Sequence, residues 1–567
     1  MIKTFAAHKF LTLIAAGSLA MLVEYLLLLS DSLIAGNMLE ERALSAITLV
    51  SPVFSFIVFI GFMIAIGTMV VFARQVGRGK RRIADLYFSQ GLILAVGAGV
   101  LLTAGLLALF AAVPNWFGVS GEVNGYVRDY MWFMCFLPLP LLLNTYLYDI
   151  VMLEGGESLC VASSAVQLTV NIGLSIFLCR AMGIGGISLG TLLTCIVTAG
   201  MLGLFFLTKR NTLHFRWFLS LRAIVRVMQF SAVDSSVYLF LGIMQLVMNI
   251  FLLQRFGQDS IVIFTVVLNT LTLLLAGFDG IGEAIMPLVN VYRGEGGQKG
   301  IVKTMRVAVR AALLEGMGVT VCLWMFADSI PGLFGIETAE LTSQAADAVR
   351  IFSLAAIPVA LILLYTSYYL YIEKIALSLV VTAAYVLVFP LTLGIACGLT
   401  FGLTSVWYAF AASSLFALML GGMYVRWRYR EKTFPLLLDE GALVRELSYD
   451  RPKTKEGIMD LVYAVERDLE ANRVERKKIF KIMLMIEETG MYGLEQGQEK
   501  NAVIECTVLL GRSITVILRD SGSRPFVMDE DAAVASFSGY VYTRLLAAQQ
   551  EKMHMLTSGK NRITYTF

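Results

Sequence analysis

Over the first 430 residues, apolar stretches alternate with short polar ones. Each apolar stretch is long enough to cross a hydrocarbon core, which takes about 20 helical residues. Twelve such runs can be marked, six over residues 11–34, 46–72, 87–110, 131–153, 161–178 and 187–207. The other six cover residues 230–253, 261–289, 307–326, 351–371, 375–397 and 401–424. The opening run is longer than a signal-peptide core and lacks a small-residue cleavage site before the next span. Beyond Tyr424 the pattern becomes that of a soluble domain. Residues 442–449 alternate as a strand does, residues 458–469 and 474–494 have helical periodicity, and residues 502–510 and 513–518 read as short strands. A helix near 540–548 and closing strands near 553–556 and 562–566 complete an α/β pattern. The expectation is a polytopic α-helical membrane protein with twelve transmembrane helices in two six-helix bundles and a C-terminal cytoplasmic α/β sandwich domain. The bundles fall at 1–208 and 229–432, with a cytoplasmic linker at 209–228. A second linker with the first strand occupies 433–454, and the tail domain occupies 455–567.

Cation placement tests the span count independently. One set of loops carries Lys3, Lys9, Arg74, Arg78, Lys80 to Arg82, Lys209, Arg210, Arg216, Arg222 and Arg226. The same side receives Arg293, Lys299, Lys303, Arg306, Arg310, Lys374, Arg426, Arg428, Arg430 and Lys432, whereas the alternate loops carry Arg42, Arg128, Arg180, Arg255 and Arg350. Cytoplasmic loops hold the excess of Lys and Arg, so the contrast predicts an even number of spans, both termini cytoplasmic, and residence in the cytoplasmic membrane. The turn from Glu154 to Glu157 is the exception, because it belongs to the basic side yet has no cation.

Composition agrees with a membrane chain, with 57% hydrophobic residues and 15% charged ones. Soluble chains carry nearer a quarter charged residues, and a disordered chain fewer apolar ones. The net charge of +3 gives no reason to expect a nucleic-acid partner. Seven scattered cysteines and three separated histidines form no ligand spacing, which predicts free, buried thiols and neither a disulfide nor a metal centre. A short internal repeat links the halves. Residues 65–80 read AIGTMVVFARQVGRGK and residues 280–295 read GIGEAIMPLVNVYRGE. Both end the second span of a half, as a duplication with parallel topology would require.

A carboxylate inside a bilayer costs about 2.5 to 3.5 kcal/mol on insertion scales, so each one calls for a function or a solvated setting. Glu24 and Asp31 share the first span seven residues apart, on one helix face at about 10 Å. Such a strip accepts cations and exchanges them for protons. Asp279 and Glu283 stand at i and i+4 in GFDGIGEA, whose glycines permit close helix approach or a local break. Prolines 52, 138, 140, 287, 358 and 390 fall in spans and would bend them.

The membrane region resembles the multidrug and toxic compound extrusion family over roughly residues 5 to 430. The resemblance is carried by DSLIAG at 31–36 with ALSAITLVSP after it, GTMVVFARQVGRGK, Asn171, GIGGISLGT at 183–191, GIGEAIMPLV and GLTSVW at 402–407. It implies two six-helix bundles that alternate between outward and inward openings and export small organic cations in exchange for H+ or Na+. By that resemblance Asp31 is the coupling-ion acid, with Asn171 and Thr191 as its neutral partners, while Glu24, Asp279 and Glu283 are candidates for binding cationic substrate. Three departures are visible: the first span has no proline, Ser175 stands where the family often has an acid, and Met152 stands where it often has an Arg. No tightly bound cofactor is expected, and no GxxxxGK[ST] loop occurs in the membrane part. A lipid-linked precursor flippase and a membrane sensor with a signalling tail are the rival readings; the acidic intramembrane charges disfavour the flippase.

The tail resembles histidine-kinase-like ATPases of the Bergerat fold, especially anti-sigma-factor serine kinases. MIEETGMY at 485–492, RDSGSRPF at 519–526 and the terminal NRITYTF carry the likeness. It places a base at Glu488 and an adenine-contacting pair at Asp520 and Gly522. The magnesium-binding Asn of that family is Tyr492 here, and the glycine-rich lid is reduced to Gly539. The site is therefore degenerate, and no catalytic residue is assigned. The tail is expected to sense nucleotide or to bind a cytoplasmic protein partner.

Overall fold

The computed structural model describes residues 4–39, 41–77, 80–110, 122–154, 156–208, 213–294, 297–429, 435–438, 445–495, 502–511, 513–520 and 561–567. Long apolar helices dominate, as lipid demands, because each backbone N–H and C=O must be satisfied within its own segment. In the first half these are α1 (Phe5–Met38), α2 (Glu41–Gly77), α3 (Arg81–Leu109), α4 (Glu122–Met134), α5 (Pro138–Leu153), α6 (Glu157–Met182) and α7 (Ile184–Gly203). In the second half they are α8 (Leu221–Phe256), α9 (Gln258–Gly294), α10 (Gln298–Phe326), α11 (Ala339–Ser353), α12 (Ala356–Tyr371), α13 (Ile375–Ala383), α14 (Phe389–Phe401) and α15 (Leu403–Tyr429). Among the described residues nine helices are long and apolar enough to cross a membrane, or eleven if each of two bent pairs is one span. The stretch Tyr25–Met38 of α1 is a shorter apolar helix beside them. The chain is a multi-pass membrane protein.

The prolines act in different ways. The α4–α5 pair is bent by 52° and the α11–α12 pair by 50°. Pro138 opens α5, where a missing N–H costs no helical bond, so the bend falls just before it. By contrast, Pro52 and Pro287 lie inside continuous helices. A five-residue π turn, Ala384–Val388, joins α13 to α14 ahead of Pro390, the ring that removes a donor from the next turn. α8 begins at Leu221, inside the segment assigned to the linker at 209–228. The cysteines also depart from expectation: Cys322 is exposed and Cys397 half-buried, while the other five are buried. An outward-facing position on a membrane helix accommodates a small apolar thiol as readily as a core does.

The chain forms two compact units. One comprises Ser18–Asp279 and Ala312–Tyr424. Within it α2 packs along α8 through a seam of small and polar side chains. A Cβ at Gly67 would lie 2.3 Å from the Val227 carbonyl oxygen, so only glycine fits there. Along the same seam, Asn249 Nδ2 donates to the Thr48 carbonyl at 2.8 Å and Ser51 Oγ donates to Gln245 Oε1 at 3.0 Å, while the Thr48 hydroxyl also lies 2.6 Å from that of Thr265 on α9. Gly67 belongs to the internal repeat, which gives that motif a packing reason.

The other unit comprises Met1–Gly17, Gly280–Ala311 and Val425–Phe567. Its tail contains β1 (Arg445–Pro452), α16 (Lys455–Ala471), α17 (Arg476–Glu495), β2 (Val503–Leu510), β3 (Ile514–Asp520) and β4 (Asn561–Thr566). The strands form an antiparallel sheet in the order β1-β2-β3-β4. Thr454 starts α16 by accepting a hydrogen bond from the Gly457 N–H at 3.1 Å. Leu461, Val465, Ile482 and Ile486 of the helices pack on Ile504, Cys506, Val508, Val516 and Leu518 of the sheet. The expected helix at 540–548, the strand at 553–556 and Gly539 lie outside the described residues.

Candidate ion site in the first half and a cavity in the tail

Asp31 stands on the C-terminal part of α1, where three other helices meet it. Tyr130 of α4 donates to Asp31 Oδ2 at 2.8 Å. Thr191 Oγ1 of α7 lies 3.3 and 3.4 Å from the two carboxylate oxygens. On α6, Asn171 donates through Nδ2 to Thr191 Oγ1 at 3.0 Å, which leaves the threonine proton free to point at Asp31. The Ser30 hydroxyl lies 2.9 Å from Asn171 Oδ1 and 2.7 Å from the Leu27 carbonyl, and its one proton serves one of them at a time. Ser30, Tyr130 and Asn171 are all buried. Asp31, Asn171 and Thr191, separate in sequence, thus form one hydrogen-bonded group.

Glycines permit this convergence. A Cβ at Gly190 would meet Ser175 Oγ at 2.6 Å, and one at Gly186 would meet the Leu178 carbonyl oxygen at 2.2 Å. α6 and α7 therefore approach closely, and Ser175 fills the contact with Gly190 rather than offering a further charge. Among the described residues no Lys or Arg forms an ion pair with Asp31. A buried carboxylate that no basic side chain pairs with is neutralised by a proton or a small cation. Sequence reasoning missed Tyr130 and Ser30. Ser30 is adjacent to Asp31 but points at another helix, and Tyr130 is one tyrosine among 22.

The other acids are arranged differently. Asp279 of α9 accepts a hydrogen bond from Tyr25 of α1. Glu283 is exposed, and α9 runs unbroken through both residues. The side chain of Glu24 lies outside the described residues. An acid overlooked in the sequence, Glu315 of α10, lies against α9, since a Cβ added at Gly277 would fall 1.9 Å from Glu315 Oε1. Its signal was present: it is a single carboxylate within the apolar run AALLEGMGVTVC. The cation-free turn after α5 borrows its partner from elsewhere, with Arg81 NH2 lying 2.5 Å from Glu154 Oε2.

In the tail, Lys453, Thr489, Gly490, Gly493, Ile504, Leu518, Arg519 and Asp520 line a small cavity under the helices. Its carboxylate is already engaged: Lys453 Nζ lies 2.6 Å from Asp520 Oδ2, and both side chains are buried. Glu488 is half-buried on α17 next to Thr489. The Tyr492 side chain and Gly522 lie outside the described residues. No group of three or more His, Cys, Asp or Glu able to hold a metal occurs among the described residues.

Long apolar helices with a carboxylate held between them define a multi-pass membrane protein with a polar site in its helical part. The MatE family model matches residues 17–177 and again 236–394, together more than half of the chain, and the chain belongs to the MatE family. The two matched stretches are separated by residues 178–235. A probable multidrug resistance protein NorM from Streptococcus pneumoniae is 28% identical over 152 residues, 25% of this chain and 34% of that protein. The alignment thus spans about a third of that relative's length. Among solved structures, a multidrug resistance MATE family transporter of the MOP superfamily in an inward-facing conformation superposes with a TM-score of 0.67 at 20% identity, covering 73% of this chain and 98% of that one. The outward-facing conformation of such a transporter gives 0.62 at 21% identity, covering 76% and 97%. A MOP superfamily transporter from Pyrococcus furiosus, whose reversed pocket polarity suggests a different function for that protein, gives 0.63 at 19% identity, covering 76% and 97%.

Proposed function

We propose that the protein is a secondary antiporter of twelve spans that exports organic cations across the cytoplasmic membrane in exchange for H+ or Na+. The observation that carries this reading is the Asp31 carboxylate, held by Tyr130 and Thr191 with Asn171 behind them. A bound proton or Na+ neutralises Asp31 in one state, and its release restores the charge in the other. Cationic substrate and coupling ion compete for negative charge, so binding of one favours loss of the other. Asp279, with Tyr25 upon it, and the exposed Glu283 are the substrate-binding candidates on α9, and Glu24 is the candidate on α1. Antiport needs no nucleotide, because a potential of 100 mV is worth about 2.3 kcal/mol per charge moved.

The tail resembles a kinase-like ATPase domain that has lost its chemistry. Supporting this, residues of the α17 motif and Asp520 line one cavity. Lys453 already neutralises the carboxylate that the resemblance assigns to adenine, which argues for a regulatory, non-catalytic role.

The test is reconstitution in liposomes with a pH gradient or a Na+ gradient imposed separately, reading efflux of a cationic dye. Gradient-driven efflux is expected from the parent protein, and Asp31→Asn is expected to abolish it while inserting normally. Full gradient-driven transport by Asp31→Asn would remove that carboxylate from the mechanism.

A further inference from the structure

The tail sheet has two unlike faces. Side chains alternate along a strand, and Leu447, Tyr449, Ile504, Cys506, Val508, Val516 and Leu518 face α16 and α17. The alternate residues are Glu446, Ser448 and Asp450 of β1, Glu505 and Thr507 of β2 and Arg519 of β3, with Val503, Leu509 and Ile517 among them, so the other face is mostly polar around a row of charges. Strand register sets Asp450, Glu505 and Arg519 side by side across three strands. A free sheet would present this row to water, yet Glu505 is 0% exposed, Thr507 2% and Arg519 3%.

The covering comes from the ends of α9 and α10 and from the start of α1. Tyr292 of α9 donates to Glu505 Oε2 at 2.8 Å, the same oxygen that Arg519 reaches at 2.8 Å. The Arg519 guanidinium lies over the Tyr292 ring at 4.7 Å. Lys303 of α10 pairs with Asp450 and donates to Ser448 Oγ at 2.8 Å. The Lys299 N–H donates to Glu446 Oε2 at 3.0 Å. At the first turn of α1, the Phe5 N–H donates to Asp450 Oδ1 at 2.9 Å. One polar sheet face therefore holds the ends of three helices, and α1 and α9 also carry Asp31 and Asp279.

We propose that this face is a releasable dock, by which the tail grips the turn between α9 and α10 and the start of α1 and lets go when those helices move during transport. The composition favours release. Apolar surface resists separation, whereas charged and hydroxyl groups regain hydration when parted, so a polar contact suits a repeatedly broken joint. The transport consequence rests on the antiport reading above; the dock itself does not.

Two measurements on the full-length protein test it. In Thr507→Cys the new thiol sits on the dock face, and the native Cys506 beside it faces the helix core as an internal control. Maleimide labelling of Thr507→Cys is expected to outpace that of Cys506, and adding Tyr292→Phe and Lys303→Ala is expected to accelerate it about tenfold further. Equal, slow labelling of both thiols in every variant would overturn the dock. Should the combined variant also expose Cys506, the tail has opened, and Tyr292→Phe alone carries the comparison. Second, Lys299→Cys with Glu446→Cys is oxidised to lock the dock. Loss of gradient-driven dye efflux, restored by reduction, is expected; efflux unchanged by the lock would overturn the release step. If the reduced protein moves no dye under any gradient, the antiport reading fails, while the labelling result still decides the dock.

Discussion

At the scale of single residues, the chemistry rests on how a few polar groups are partnered. Asp31 is supported by hydroxyls and an amide, with no cation supplied among the described residues. Removing the Tyr130 hydroxyl deletes a hydrogen bond to a charged group, a change of about 1.5 to 3 kcal/mol. Tyr130→Phe is therefore expected to lower the thermal unfolding midpoint of the detergent-purified protein by about 1 to 3 °C, with helical circular dichroism unchanged. An unaltered midpoint would mean that the hydroxyl does not hold the carboxylate. Asp31 was legible because a carboxylate at the exit of an apolar span is conspicuous. Tyr130 was not, because a tyrosine in an apolar run has many ordinary uses, and only the packing of α4 against the site gives it one.

At the scale of elements, small residues decide which helices meet. Gly186 and Gly190 bring α7 against α6 at the level of Asn171 and Thr191. A methyl group at Gly190 would press on Ser175 Oγ and Cα at 2.6 and 2.9 Å, so the helices must part or tilt. Gly190→Ala is expected to reduce the yield of monodisperse protein and to slow dye efflux more than Gly200→Ala, where no atom lies within 4 Å of the added Cβ. Equal behaviour of the two variants would show that the α6–α7 contact tolerates expansion. Helix positions followed from hydropathy, because about 20 apolar residues have few alternatives in a bilayer. The two sharp bends were less legible: proline predicted six candidate sites, and neighbouring packing selected which became breaks and which stayed in continuous helix.

For the molecule as a whole, the tail joins the ends of helices distant in sequence. Glu505 is the titrating element of that joint. It faces Asp450 and Glu446 from β1, Arg519 from β3, Tyr292 from α9 and Lys303 from α10. Burial, reinforced by Asp450, raises its carboxyl from 4.5 to about 8, against the opposing pull of Lys303 and the Tyr292 hydrogen bond. The docked state thus binds the proton more tightly than the released state. Docking is strongest below the ordinary carboxyl range and weakens as pH rises through about 8. Labelling of Thr507→Cys, normalised to a free thiol at each pH, is expected to rise between pH 6.5 and 8.5. Glu505→Gln is expected to flatten that rise, and an identical rise in the Gln variant would assign it to another group.

The sequence by itself determined the class of protein and the helical segments, because hydropathy acts locally and through simple periodicity. It also gave the tail strands their alternation. Only the tertiary structure decided which neutral groups surround Asp31, that Asp520 is occupied by Lys453, and that the polar face of the tail sheet is covered. These depend on helix packing and strand register between segments far apart in the chain, and a residue-by-residue pattern carries no information about such distances.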